Sequence, residues 1–117
     1  MNWTTAEKFC QNMSSHLASV TRNTSDYLTK ASRRHWPVWI GGTDQEKEGL
    51  WKWTDSSPWN FTNWDEGYPR DKNGKKNCLS EWPWGWEDLS CHRMAWFLCS
   101  KQKETGENSK LANLELY

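Results

Sequence analysis

Apolar residues recur at helical spacing in the first part of the chain. Between positions 3 and 13 they stand three or four residues apart, which is the stripe of an amphipathic helix. These residues are Trp3, Ala6, Phe9, Cys10 and Met13. Thr4 or Thr5 can cap this helix, and Glu7 stands three residues after Thr4, as a capping box requires. Residues 24–33 carry a second helical pattern, whose inward side chains we expect to be Tyr27, Leu28 and Ala31.

Short apolar runs bounded by turn residues predict the strands. Residues 38–42 begin with apolar, β-branched and aromatic side chains and are bounded by Pro37 on one side and two glycines on the other. This pattern predicts a buried strand. Residues 50–54 alternate between apolar and polar side chains, as a half-buried strand does. Further extended segments are expected at residues 17–20, 77–81 and 95–99.

A long segment without regular periodicity separates these strands. Residues 55–76 are rich in turn formers, yet they also carry Trp59, Trp64 and Tyr68. A flexible linker would not carry these isolated aromatic residues. We therefore predict an ordered loop, and long ordered loops usually carry function.

The length and the charge balance limit the possible functions. A chain of 117 residues makes one small domain, which we place at residues 1–100. Residues 100–107 are polar and charged, which predicts a linker or tail over residues 101–117. Fifteen basic and fifteen acidic residues give a net charge of zero, which predicts no nucleic-acid surface and no polybasic membrane patch. Because no apolar run approaches the length of a transmembrane helix, we expect membrane contact only through a parent protein.

The cysteines and the glycosylation sequons predict an extracellular origin. The chain has four cysteines, and their spacing fits none of the usual zinc signatures. Four Asn-x-Ser/Thr sequons predict N-glycosylation at Asn2, Asn12, Asn23 and Asn60. Together they favour an oxidising compartment, so we predict a secreted protein or a cell-surface ectodomain. No signal peptide is visible in the sequence, which makes us expect a fragment of a longer protein.

Five motifs, in order along the chain, resemble the C-type lectin-like family. Four of them are Trp-x-x-Ala-x-x-x-Cys from Trp3, Leu-Ala-Ser-Val from Leu17, Trp-Ile-Gly-Gly from Trp39 and Glu-Gly-Leu-Trp-Lys-Trp from Glu48. The fifth is the loop motif Trp-x-x-Gly-x-Pro from Trp64, which is followed by Asn-Cys and by Trp-x-Asp-x-x-Cys. The resemblance covers residues 3–100. It implies an α+β fold with two helices, small antiparallel sheets and a long irregular loop region.

The resemblance has two further structural implications. It implies that Cys10 pairs with Cys99 and that Cys78 pairs with Cys91. Family members begin with a strand hairpin before the first helix, whereas here the helical pattern starts at residue 3, so we expect that hairpin to be absent. The closing strand at 95–99 would then have an unpaired edge, which favours association.

The family's principal calcium site is altered in this sequence. In sugar-binding members, calcium is held by side chains around the proline, by an acidic residue before the next cysteine and by two residues after the tryptophan. The matching positions are Tyr68, Arg70, Lys76, Glu87 and Asp88. Only Glu87 and Asp88 are good oxygen ligands, and two cations stand where a divalent ion would bind. We therefore predict no cofactor here and expect Lys76 or Arg70 to pair with Glu87, Asp88 or Asp71.

A second calcium site of some members is a weak candidate. Asp44, Glu48 and Asp71 match its positions, but Lys76 again replaces an acid. We interpret Asp44 and Glu48 primarily as turn caps that face water.

The aromatic residues divide into a core set and a surface set. Among the eleven tryptophans we assign five to packing: Trp3, Trp39, Trp51, Trp53 and Trp96. Trp82 and Trp84 lie between two cysteines next to the loop, and exposed aromatics of this kind are typical interface anchors. The candidate ligand-binding residues are Tyr68, Arg70, Asp71, Lys76, Trp82, Trp84, Glu87 and Asp88.

These observations lead to one hypothesis and two alternatives. The leading hypothesis is a recognition module that binds a protein ligand, or serves as one module of a larger ectodomain, without calcium-dependent sugar coordination. A glycan-binding domain, through a distorted calcium site or independently of calcium, is the first alternative. A structural role without a dedicated ligand is the second. We predict no enzyme, because a Cys91–His92 dyad would require an unpaired cysteine.

Overall fold

A computed structural model of the protein describes residues 1–70, 74–105 and 109–117. In these residues the chain forms two helices and seven strands. In chain order they are α1 (Trp3–Asn12), β1 (His16–Leu17), α2 (Ser25–Ala31), β2 (Val38–Thr43), β3 (Lys52–Trp53), β4 (Cys78–Trp82), β5 (Gly85–Leu89), β6 (Trp96–Thr105) and β7 (Ser109–Leu116). The α+β fold implied by the resemblance is confirmed.

Helix α1 forms where the apolar stripe predicts it, but its cap differs from the prediction. The side-chain Oδ1 of Asn2 accepts a hydrogen bond from the backbone N–H of Thr5 at 2.9 Å. Asn2 is therefore the N-cap, in place of Thr4 or Thr5. Glu7 does not complete a capping box, because its buried carboxylate accepts the backbone N–H of Leu17. The side chain that the capping box needs thus fixes the entry of β1 instead.

Helix α2 is shorter than predicted, and one of its side chains points away from the core. Leu28 is buried, and Ala31 packs against the core at partial burial. Tyr27 is 67% exposed, so its inward assignment was wrong. The buried face of α2 is centred on Leu28 and Ser32. At 3.6 residues per turn, Tyr27 lies about 100° from Leu28, on the side away from Ser32.

The buried strand β2 lies at the centre of the sheet. It pairs antiparallel with β3 and β4 and parallel with β6, and β4 pairs antiparallel with β5 in a hairpin. Every residue from 38 to 42 is buried, which confirms the strand expected from that apolar run. The sequence reasoning did not predict β5, because residues 85–89 lack a clear alternation and gain their strand geometry by pairing with β4.

Residues 101–105 and 109–117 do not form the predicted linker or tail. Strand β6 continues to Thr105 and pairs antiparallel with β7 over eight residue pairs, from Leu98↔Leu116 to Thr105↔Ser109. The half-buried side chains of Leu114 and Leu116 pack against the core, and this burial holds β7 against the domain. Residues 106–108 lie outside the described part of the chain.

The edge of β6 that was expected to be unpaired is covered by the chain itself. After β7, Tyr117 exchanges two backbone hydrogen bonds with Phe97. The Met1 carbonyl then accepts the Ala95 N–H at 3.1 Å. Strand β7, Tyr117 and Met1 together satisfy backbone groups along the segment 95–99, whose edge was expected to be unpaired.

Two disulfides cross-link the fold, one between distant segments and one around the β4–β5 hairpin. Cys10 and Cys99 are bonded, as are Cys78 and Cys91, with Cα atoms 5.4 and 5.2 Å apart. Both pairings implied by the resemblance are therefore confirmed. The first bridge links α1 to β6 across a sequence separation of 89 residues. The chain-entropy model values such a bridge at about 4 to 5 kcal/mol.

Candidate ligand-binding surface

The long loop after β3 is ordered in its described part because it is tied to β5. The backbone N–H of Asp65 donates to the Trp86 carbonyl at 2.9 Å, and the Trp86 N–H donates to the Asn63 carbonyl at 2.8 Å. These bonds frame a parallel bridge between Trp64 and Trp86. Gly85 is required beside this bridge, since a Cβ atom there would lie 2.8 Å from the Asn63 carbonyl oxygen.

An aromatic cluster beneath the loop fixes its position. The fully buried indole of Trp86 is surrounded by four rings whose centroids lie 5.6 to 6.0 Å away. These rings belong to Trp53, Trp59, Phe61 and Trp64. Edge-to-face and tilted ring pairs of this kind contribute stability beyond their buried area. The loop is therefore a rigid support for the residues that it exposes.

Glu87 joins two aromatic residues on the outer face. The Trp84 indole Nε1–H donates to Glu87 Oε2 at 2.8 Å, and the Glu87 carboxylate also lies near the Tyr68 hydroxyl. Partial burial, followed by the charge of Glu87, raises the pKa of Tyr68 above its ordinary value. The Arg70 guanidinium carbon lies 4.3 Å from the centroid of the Tyr68 ring, within cation–π distance. We call the residues Tyr68, Arg70, Trp82, Trp84 and Glu87 the loop surface.

Within the loop surface, Trp82 is anchored and Trp84 is presented. The two indoles stack with centroids 5.3 Å apart and an interplanar angle of 19°. The Trp82 Nε1–H donates to the Ser80 hydroxyl, and the Arg93 guanidinium carbon lies 5.8 Å from the Trp82 ring. Trp84 is 58% exposed. The pair thus offers a flat apolar face whose orientation is fixed by hydrogen bonds.

The ion pairs expected between the two cations and Glu87 or Asp88 do not form in the described residues. Asp88 is fully buried, and its Oδ1 accepts the backbone N–H of Arg70 at 2.9 Å. The Arg70 side chain folds over Tyr68, and neither it nor the exposed Lys76 forms a salt bridge with Glu87 or Asp88 in the described residues. The cation–π contact replaces the predicted pairing of Arg70. Asp71 lies outside the described residues.

The described residues at this position do not fit a calcium ion. Glu87 Oε2 accepts the Trp84 indole N–H, and Asp88 Oδ2 is the one buried carboxylate oxygen there without a hydrogen-bond partner in the described residues. Calcium takes six to eight oxygen ligands. Nowhere in residues 1–70, 74–105 and 109–117 do three or more His, Cys, Asp or Glu side chains form a group that could hold a metal.

The residues that match the second calcium site cap a turn. Asp44 Oδ2 and Glu48 Oε2 each accept the backbone N–H of Gly49 at 3.0 Å. Glu48 is exposed, as expected, but Asp44 is buried at 2% exposure. The prediction that Asp44 faces water was therefore wrong. The backbone hydrogen bond from Asp44 to the Asn77 carbonyl holds it against the segment that leads into β4.

The sequence reasoning missed a buried acid behind the loop surface. Glu81 in β4 is 2% exposed, and its Oε2 has no hydrogen-bond partner in the described residues. Burial raises the pKa of its carboxyl to about 8, although a hydrogen bond from the Trp86 side chain lowers it in part. Strand alternation places Glu81 on the same face as the buried Leu79. The alternation of Leu79 and Glu81 along the strand was the sequence signal that could have indicated this burial.

The remaining predicted residues are the asparagines of the glycosylation sequons and the disulfide cysteines. Asn12, Asn23 and Asn60 are exposed, whereas Asn2 is half-buried as the α1 cap. N-glycosylation at these sites stays a prediction. Cys91 is bonded to Cys78, so the cysteine that a dyad with His92 would need is not free.

The sequence that forms these elements, disulfides and loop matches a known protein family. A family model described as the C-type lectin domain matches residues 1–101. The chain belongs to the C-type lectin domain family. Domains of this family are generally binding modules without enzymatic activity and are typically extracellular or at the cell surface. In the described part of this C-type lectin domain, no helix is both long and apolar enough to cross a membrane.

Individual relatives agree with this assignment. The "C-type lectin mannose-binding isoform" of Oxyuranus scutellatus is 31% identical over 109 residues, which cover 84% of this chain and 69% of the relative. "Hepatic lectin" of Gallus gallus is 32% identical, and the match covers 86% of this chain but 50% of that protein. The mouse scavenger receptor C-type lectin carbohydrate-recognition domain superposes with a TM-score of 0.80 at 33% identity and covers 89% of this chain and 83% of its own.

Proposed function

We propose that this C-type lectin-like domain is an extracellular recognition module that binds a protein ligand through the loop surface, without calcium-coordinated sugar. One observation carries the proposal: Glu87, which matches a calcium-ligand position of the family, accepts a hydrogen bond from the Trp84 indole beside the Tyr68 hydroxyl. An acid that orients an exposed aromatic side chain in this way acts as a structural acceptor. The position is thereby converted from metal coordination to the presentation of aromatic residues.

The chemistry of the loop surface supports a protein ligand. Trp, Tyr and Arg are the residues that dominate the binding energy of protein interfaces, especially where they are held rigid. Trp84 combines high exposure with a hydrogen bond that restricts its rotation. Tyr68 and Arg70 stack beside it. Rigid aromatic side chains lose little conformational entropy on binding.

The cysteines and the relatives support the extracellular setting. Two disulfides form in the structure, and disulfides persist in oxidising compartments. Because the match covers half of the hepatic lectin, we further propose that the domain is one module of a longer protein. Calcium independence has a parallel among solved structures of this fold. A protein described as a calcium-independent type II antifreeze protein superposes with a TM-score of 0.76 at 30% identity, covering 86% of this chain and 78% of that one.

The calcium part of the proposal is tested by thermal unfolding. An ion that binds only the folded state stabilises it, by about 2.7 kcal/mol at a free concentration of about 100 times its Kd. We expect the same Tm in millimolar calcium and in chelator. A higher Tm in calcium that is abolished in Asp88→Asn would refute the proposal. Magnesium at the same concentration controls for ionic strength.

Glycan binding is the second candidate, and the stacked indoles of Trp82 and Trp84 favour it. Sugar rings also bind flat aromatic faces, and stacking on Trp82 at a centroid spacing of 5.3 Å holds the exposed Trp84 indole so that its outer face can receive one. A glycan array with and without chelator separates the candidates. Under the protein-ligand proposal we expect no specific glycan signal. Specific binding that persists in chelator and is lost in Trp84→Ser would establish a calcium-independent lectin. Tyr27→Ser removes another exposed aromatic residue on α2 and is the matched control.

A further inference from the structure

Two of the three aromatic rings of the loop surface carry a guanidinium group from within the chain. The Arg70 guanidinium carbon lies 4.3 Å from the Tyr68 ring centroid, and the Arg93 guanidinium carbon lies 5.8 Å from the Trp82 ring centroid. The third ring, Trp84, stacks on Trp82 with one face and is 58% exposed. No cation of the described residues lies over its ring. The outer face of Trp84, which is the one turned away from Trp82, is therefore open to a cation from outside.

A carboxylate stands at the edge of this exposed ring. The Trp84 Nε1–H donates to Glu87 Oε2 at 2.8 Å. Within the described part of the chain Glu87 forms no salt bridge, so no direct ion pair offsets its negative charge. A hydrogen bond from the indole to a carboxylate also polarises the ring. The added electron density strengthens the attraction of the ring face for a cation.

The charges around the Tyr68 hydroxyl, which lies beside Glu87, also favour a cation. Burial is the main cause of the raised pKa of Tyr68, and the negative charges of Glu87 and Asp65 raise it further. The positive charge of Arg70 acts in the opposite direction, but its effect is smaller than that of Glu87 alone. A positive charge that a partner brings to this side of the loop surface is therefore attracted.

We propose that the protein ligand of the loop surface anchors itself with an arginine or lysine side chain, which stacks on the outer face of Trp84 and pairs with the Glu87 carboxylate. The inference rests on the proposed protein-binding function and adds the chemistry of the partner. Tryptophan attracts cations over its ring more strongly than tyrosine or phenylalanine does. An acidic partner is the opposite expectation, because it would pair with Arg70 and Arg93 and be repelled by Glu87.

An NMR titration of the full chain, labelled with nitrogen-15 and with its disulfides intact, tests this contact. The probe is the peptide acetyl-Gly-Arg-Gly-amide, added to tens of millimolar at constant ionic strength. One control peptide has citrulline in place of arginine, which keeps the planar shape and its hydrogen-bonding groups but carries no charge. Another has glutamate. We expect a saturable shift of the Trp84 indole N–H signal with the arginine peptide and a much smaller shift with either control.

Three results would overturn the proposal: no shift at Trp84 with the arginine peptide, an equal response to the citrulline peptide, or a stronger response to the glutamate peptide. The last of these would assign the loop surface to an acidic partner. All three leave the proposed protein-binding function standing, because another side chain can serve as the anchor. A calcium-dependent rise in Tm that is abolished in Asp88→Asn refutes that function itself, whatever the peptides do.

Two variants assign the binding to Trp84 and Glu87, and an unchanged Tm confirms that each one folds. Trp84→Leu keeps an apolar side chain and removes the ring. It should abolish the difference between the arginine and citrulline peptides, followed at the Trp82 indole signal. Glu87→Gln keeps an acceptor for the indole N–H and removes the charge. It should weaken the arginine peptide about two- to fivefold, which is the range of an exposed ion pair.

Asp26→Asn is the matched control for Glu87→Gln, because it removes an exposed carboxylate on α2. It should leave the affinity for the arginine peptide unchanged. Equal weakening in Asp26→Asn and Glu87→Gln would show a general attraction of the peptide to the acidic groups of the domain, and it would contradict the proposed pairing with Glu87.

A neutral sugar is the competing ligand for the outer face of Trp84, so methyl β-glucoside is titrated in parallel. We expect no saturable shift of the Trp84 signal with the glucoside. Added sodium chloride should weaken the arginine peptide, because salt screens exposed charges. A glucoside that binds at Trp84 more tightly than the arginine peptide, with an affinity that salt does not change, would overturn the proposal in favour of a sugar.

Discussion

Replacing Glu81 by glutamine is expected to stabilise the domain at alkaline pH and to remove much of its pH dependence. The carboxyl group is buried in β4, with one hydrogen bond from Trp86 and an Oε2 that has no partner in the described residues. Ionisation there places a charge in an environment that cannot solvate it. Glutamine keeps an oxygen that can accept the Trp86 hydrogen bond, has nearly the same shape and carries no charge at any pH.

The sign and size of the effect follow from linkage. Burial raises the pKa of Glu81 from 4.5 to about 8. Above pH 4.5 the unfolded chain releases the proton while the folded chain keeps it, so stability falls as the pH rises. The fall ends near pH 8, where the folded state also ionises. Because one pKa unit corresponds to about 1.4 kcal/mol, the loss between pH 4.5 and pH 8 is at most about 5 kcal/mol, and hydration of the ionised group will reduce it.

Urea unfolding followed by tryptophan fluorescence measures this effect. The free energy of unfolding is determined at several values between pH 4.5 and pH 9 with the disulfides intact. We expect the native chain to lose stability relative to Glu81→Gln across this range, by several kcal/mol in total. Glu66→Gln, which removes an exposed carboxylate, should keep the native slope. If Glu81→Gln also keeps that slope, the carboxyl is hydrated or paired, and the reasoning is refuted.

Two further predictions concern packing, and the same urea experiment measures both. Leu79→Ala should cost about 2 to 5 kcal/mol because Leu79 is fully buried, whereas Leu50→Ala, at 49% exposure, should change stability by less than about 0.5 kcal/mol; equal effects would contradict the burial. Gly85→Ala should cost about 1 to 3 kcal/mol more than Gly49→Ala, through overpacking. Both glycines have positive φ, but only at Gly85 would the new Cβ lie 2.8 Å from the Asn63 carbonyl oxygen; equal costs would show that the loop moves aside.

Local sequence signals were sufficient where burial repeats along one element. The α1 stripe and the apolar run at 38–42 predicted their elements, because each set of side chains must leave water on one face or on both. Local signals were insufficient at the α1 cap. Asn2 and Thr4 are both good capping residues, and the choice between them depends on Glu7, whose carboxylate is held by the distant chain at Leu17.

The loop surface was located from sequence more accurately than its contacts were. Tyr68, Trp84 and Glu87 do come together, as the grouping of ligand residues required. The predicted charge pair of Arg70 with Glu87 or Asp88 did not form in the described residues, because Arg70 contacts the Tyr68 ring and gives Asp88 only its backbone N–H. A long side chain has several partners within reach, and residue order does not rank them.

The sequence by itself determined the family, both disulfide partners through that resemblance, and the replacement of calcium-ligand residues by Tyr68 and Arg70. These properties depend on residue identities at ordered positions. Only the tertiary structure decided that β7 covers the edge of β6, that Glu81 is buried without a second partner, and that Trp96, which was wrongly assigned to the core, is 47% exposed. Each of these depends on contacts between segments far apart in the chain, and the distance between such segments is set by packing of the whole domain.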